Sequence, residues 1–96
     1  MARRPATDMQ MEFSVRLKAI RDVRGFKTQV AFAERLGVQQ KRVSAWENGR
    51  STPDSLELLQ RVCDLLGVTA DFLLFGDAKT LNPEAYKALV VEGRIS

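Results

Sequence analysis

Ninety-six residues, 45% apolar and 28% charged, fit one globular domain with a small core. One cysteine, Cys63, and no histidine exclude a disulfide within the chain, a Cys/His zinc site and the Ser-His-Asp and Cys-His nucleophile systems. The net charge of +3 hides an asymmetry: residues 1–50 carry eleven Lys/Arg against five acids, and residues 51–96 carry four against seven. A basic half beside an acidic half suits a surface that faces a polyanion, with a different opposite end.

Alternation with a period of two is rare, while helical periodicity recurs between glycines at 25, 37, 49, 67, 76 and 93, so the expected fold class is all-α. Residues 1–9 read as a flexible arm with Arg3 and Arg4. A first helix is expected over about 10–24, with Phe13, Leu17, Ile20 and Val23 inward and Gly25 past its end. Thr28 caps a second helix, 29–36, with Val30, Ala33 and Leu36 on one stripe and Phe32 beside it; Gly37 closes it. A third helix starts near Gln39, where Val38 and Val43 have the spacing of a hydrophobic staple. Asn48-Gly49 ends it, since both residues tolerate a left-handed backbone.

Residues 50–53 form a loop, and a fourth helix begins at Asp54 or Ser55, with Asp54 and Glu57 spaced as a capping box. Leu56, Leu59, Cys63 and Leu66 make its buried stripe, widened by Leu58, Val62 and Leu65. Cys63 reads as a small core residue, because no cation shares its face. A fifth helix opens at Thr69, with Val68 and Leu73 as a staple, and ends by Gly76. The extension 77–96 contains Asn82-Pro83-Glu84, a cap, a proline at the first helical position and an acid in the first turn, which predicts a short helix over 83–92.

The second helix, Gly37 and the third helix form two short helices joined by a glycine turn, the helix-turn-helix arrangement whose second helix can enter the DNA major groove. Val43 and Trp46, three apart, point to the core. Gln40, Lys41 and Ser44 then share the other face, with Ala45 at its flank. Gln can pair with adenine through two hydrogen bonds, Lys can donate to guanine, Ser can do either, and an Ala methyl can touch thymine. Arg42 projects sideways toward phosphate, and Gln29 meets phosphate at the start of the second helix. Without the flanking motif, the same polar residues would read as a solvated face.

The run TQVAFAERLGVQQKRVSAWENGR, followed by TPDSLELLQRVCDLLGVTADFLLFG, resembles the Cro/CI-type (XRE-like) helix-turn-helix family over about residues 13 to 76. Its most specific parts are Thr28-Gln29, Ala33, Leu36-Gly37-Val38, Trp46-Glu47-Asn48-Gly49 and Leu66-Gly67-Val68 with Leu73-Leu74. The resemblance implies a compact five-helix, lambda-repressor-like DNA-binding domain over 10–76, with the extra helix in 77–96 added to it. Members are mostly bacterial and phage transcriptional regulators that bind operators as dimers. Residue by residue, it implies base reading by Gln40, Lys41, Ser44 and Ala45. It implies phosphate contacts by Lys27, Gln29, Arg42, Asn48 and Arg50, and a structural brace between Arg21 and Glu47. Three departures stand out: the turn 25–28 and the approach 53–55 run about a residue long, and Gln39 replaces a common Ser or Thr cap.

The expected function is a sequence-specific, double-stranded DNA-binding repressor acting as a homodimer on a palindromic operator in the cytoplasm. Arg3 and Arg4 are either a DNA-contacting arm or an inert tail. For Tyr86, Leu89 and Val90, packing back onto the domain competes with a dimer interface; the interface is favoured because a five-helix core needs no sixth helix. No membrane span, signal peptide, cofactor or metal is expected, and the length leaves no room for the self-cleaving peptidase domain of some larger repressors in the family. The rival readings are an antitoxin that binds a protein toxin and its own promoter, and an enzyme that carries a helical domain. The operator, the regulated genes and the sign of regulation are not encoded in any legible motif.

Overall fold

The computed structural model describes residues 6–91. Six α-helices follow one another: α1 (Ala6–Val23), α2 (Gln29–Leu36), α3 (Gln40–Glu47), α4 (Leu56–Leu66), α5 (Ala70–Phe75) and α6 (Pro83–Tyr86). A 3-10 turn, Ala78–Thr80, precedes α6, and a π-helical stretch, Lys87–Val91, continues it. Among the described residues there is no strand, so the fold is all-α, as the periodicity predicts. The first helix starts at Ala6, several residues before the expected position near 10. Arg3 and Arg4 lie outside the described residues.

Helix starts follow local chemistry. Thr28, Ser55, Thr69 and Asn82 sit in extended conformation, and their side chains accept from the backbone N–H of Ala31, Leu58, Phe72 and Ala85. Each such cap satisfies a donor that the first turn cannot pair, a contribution of about 1 kcal/mol. Ser55, not Asp54, is therefore the cap of α4. Gln39 makes no side-chain cap bond, so the start of α3 lacks the contribution that α2, α4, α5 and α6 receive. At its other end Asn48 is not left-handed (φ −94°); Gly49 alone takes the positive φ, 74°.

Three arginines close helix ends elsewhere in the fold. Arg16 Nε donates to Leu73 O at 2.9 Å, Arg24 Nε donates to Leu66 O at 2.8 Å, and Arg61 Nη2 donates to Leu36 O. These cations satisfy terminal carbonyls and meet the negative end of the helix dipole. Gly67 shows the steric side of the arrangement. Its φ is 68°, the left-handed region that favours glycine, and a Cβ there would stand 3.1 Å from Arg24 Nη2, so the guanidinium would also have to yield by a few tenths of an ångström.

The core is continuous: Phe13, Leu17 and Ile20 of α1 meet Phe32, Val43, Trp46, Val62, Leu66, Phe72 and Leu73. Two expected core residues are outside it. Val30 is 52% exposed and Leu56 84%. Each lies roughly 100° around its helix from the centre of the buried stripe, beyond the arc that the neighbours cover. The extension packs back on the domain, with Leu81, Ala85 and Leu89 buried and the π-helical stretch against α1. Of the residues expected at a dimer interface, Leu89 is 0% exposed within its own chain. That corrects the expectation for Leu89: the five-helix core left an apolar gap beside α1, and this side chain fills it.

Candidate nucleic-acid interface

The unit α2–turn–α3 is set by its ends. Thr28 Oγ1 accepts from Ala31 N at 3.1 Å to start α2. Gly37, at φ 78°, carries the chain through the turn, and its N–H donates to Ala33 O at 2.9 Å. Any residue with a Cβ would be strained there. Val43 and Trp46 are sealed in the core, which fixes the rotation of α3 about its axis. Lys41 and Asn48 are consequently exposed, and Ser44 and Ala45 half-buried, on the opposite face.

A hydrogen-bonded chain runs from the core to that face. Arg21 Nε donates to Glu47 Oε2 at 2.7 Å and Arg21 Nη2 to Glu47 Oε1 at 3.2 Å, a two-pronged pair with side chains 7% and 1% exposed. Arg21 Nη1 also donates to Phe26 O at 2.6 Å, which ties down the loop after α1. Gln29 Nε2 donates to the same carboxylate at 3.2 Å, and Gln40 Nε2 donates to Gln29 Oε1 at 2.6 Å. Gln40 is thus oriented by Gln29, which is oriented by Glu47. One amide N–H and the carbonyl oxygen of Gln40 remain for a ligand, the donor–acceptor pair that an adenine edge requires.

The far edge of α3 is held differently. Arg42 Nη2 lies 3.0 Å from Asp54 Oδ1, and its guanidinium carbon sits 6.0 Å from the centroid of the Trp46 ring. Asn48 Nδ2 donates to Ser44 Oγ at 3.3 Å. Arg50 is exposed, with its backbone N–H donating to Ala45 O at 2.9 Å. Lys27 is exposed at the loop before α2, 3.8 Å from Asp22 Oδ1. The structure therefore brings Gln29, Gln40, Lys41, Ser44 and Ala45 together around one helix face. Arg42, expected to be directed at phosphate, is paired with a carboxylate of its own chain.

Sequence reasoning missed Asp54 as the partner of Arg42, the Gln29–Gln40 bond, and the three arginines at helix ends. Arg16 and Arg24, two of the eleven cations counted in the basic half, donate to backbone carbonyls. No local pattern encodes such pairings, which join residues far apart in the chain. Cys63 is buried, and burial together with the Asp64 carboxylate pushes its thiol above the ordinary value, so it is a packing residue. Among the described residues no helix is long and apolar enough to cross a membrane.

Two short helices joined by a glycine turn, the second anchored by Val43 and Trp46 and presenting a polar outer face, define a helix-turn-helix domain. The chain belongs to the helix-turn-helix domain family, whose family model matches residues 12–73. It is 38% identical over 64 residues to the SPbeta prophage-derived uncharacterized HTH-type transcriptional regulator YonR of Bacillus subtilis (strain 168). The match covers 67% of this chain and 57% of that protein, so the chain spans little more than half the length of this relative. No solved structure matches the chain.

Proposed function

We propose that this protein is a sequence-specific, double-stranded DNA-binding transcriptional regulator, a repressor that acts by occupying a palindromic operator as a homodimer. The observation that carries the reading is the α3 face: Gln40 held by Gln29 at 2.6 Å beside exposed Lys41, on a helix whose rotation is fixed by buried Val43 and Trp46. The description of the Bacillus relative as a transcriptional regulator supports it. Helix α3 enters the major groove, where Gln40, Lys41, Ser44 and Ala45 read base edges. Lys27, Asn48 and Arg50 hold the backbone, with Arg42 in reserve at the edge. Two copies then read half-sites about one helical turn, roughly 34 Å, apart. Tyr86 and Val90, which unlike Leu89 still reach the surface, contribute to the contact between copies.

The test is selection of binding sites from random duplex DNA with the intact chain. A palindromic consensus is the expected outcome. On that site Gln40→Ala and Lys41→Ala each weaken binding by about 1–3 kcal/mol while sparing non-specific binding. Selection that yields no consensus, or variants that bind the consensus as the parent does, would remove α3 as the reading element.

A further inference from the structure

The helix that presents the candidate reading face is tied along both edges, and the two ties differ in kind. Gln40 and Gln29 meet through neutral amides, so that edge keeps its polar capacity for a ligand. Arg42 and Asp54 meet as opposite charges at 3.0 Å, with side chains 39% and 75% exposed. The carboxylate offers the guanidinium what a phosphodiester would: an anionic group with two acceptor oxygens. Such an exposed pair adds little to folding. The side chain that caps α4 is that of Ser55, which accepts from Leu58 N–H, so Asp54 is not the cap of that helix. Among the described residues, the side chain of Asp54 is engaged by Arg42, whose Nη2 donates to Oδ1.

We infer that Asp54 is an intramolecular stand-in for a DNA phosphate: it occupies Arg42 in the free protein and is displaced when the backbone of duplex DNA reaches the same guanidinium. This rests on the DNA-binding reading above and adds a positioning residue to it. The consequence is a penalty on every phosphate contact that Arg42 makes. Bringing Arg42 to any phosphate first breaks an ion pair, and the released Asp54 carboxylate then takes up a cation from solution. That uptake offsets the counterion set free from the DNA, so Arg42 adds less to the salt dependence of binding than an unpaired arginine does. The same cost falls on selected and scrambled duplexes alike, so Asp54 lowers affinity for DNA in general and leaves the preference between sequences to the base-reading face.

The experiment measures binding of the intact chain to its selected duplex and to a scrambled duplex over a range of salt. Parent, Asp54→Asn, Arg42→Ala and the double variant are compared, with Trp46 fluorescence confirming that each is folded. Asp54→Asn is expected to bind scrambled DNA about two- to fivefold tighter, the range set by the strength of an exposed ion pair. Its log K against log salt plot should steepen by up to about 0.9. In the Arg42→Ala background the same change should have no effect on either quantity. Unchanged or weaker binding by Asp54→Asn overturns the stand-in role, because the carboxylate then does not compete. An equal gain in the Arg42→Ala background also overturns it, since the effect would be plain repulsion of DNA by Asp54. A folded parent that binds no duplex at any salt concentration fails the DNA-binding reading itself, and the stand-in role with it.

Discussion

The Arg21–Glu47 pair makes a quantitative demand on the domain. The Glu47 side chain is 1% exposed and that of Arg21 7%, so removing either leaves the other charge buried with reduced compensation. Breaking a buried pair this way costs about 3–5 kcal/mol, whereas replacing both partners by apolar groups is often neutral or stabilising. Arg21→Met and Glu47→Leu should each destabilise by that amount, and the double variant should recover most of the loss. For a domain of this size, a loss of ~3 kcal/mol corresponds to a fall in Tm of roughly 12–24 °C. Urea titration followed by Trp46 fluorescence is a direct assay, since the chain holds one Trp and it is 1% exposed. In the double variant Gln29 keeps its amide but loses the carboxylate that orients it, and Gln40 loses its fixed pose in turn. A correctly folded double variant should therefore bind its selected DNA about fivefold more weakly, the effect of one hydrogen bond of ~1 kcal/mol. If either single variant costs less than about 1 kcal/mol, or if the double variant costs the sum of the two, the pair is not a coupled buried brace.

Three further outcomes are expected. Arg50→Ala should weaken binding to all duplex sequences alike and make the salt slope about one unit shallower; an unchanged slope removes Arg50 from the phosphate set. Leu89→Ala should cost about 2–5 kcal/mol in urea unfolding, because the side chain is fully enclosed by its own chain; a loss near zero would mean that 77–91 is not part of the folding unit. Cys63 should resist a thiol reagent at mildly alkaline pH until denaturant opens the core, since a raised pKa lowers the thiolate fraction at any given pH. Prompt labelling of the folded protein would contradict its burial.

Most of the fold's punctuation is local and was legible in the residues. Thr28, Thr69 and Asn82 announce helix starts because a side-chain oxygen two or three bonds from the backbone finds the orphan N–H groups wherever the helix later packs. Gly37, Gly67 and Gly76 announce ends because the left-handed turn is a property of the residue itself. The spacing of Val43 and Trp46 settles which side of α3 faces out, and with it the candidate reading set of Lys41, Ser44 and Ala45. Periodicity failed at Val30 and Leu56, since an apolar side chain at the margin of a stripe is buried only if a neighbouring helix extends that far.

What the sequence determined by itself is therefore the set of helices, their caps and the outward face of the third. Tertiary structure decided which charges remain available. Arg16 and Arg24 turn to the carbonyl ends of α5 and α4, Arg21 to Glu47, and Arg42 to Asp54, while Leu89 closes the core that five helices left open. The reason is physical: a cap or a turn is satisfied by atoms within a few residues. A guanidinium at the end of a long side chain takes whichever acceptor the packing of distant helices brings within about 3 Å.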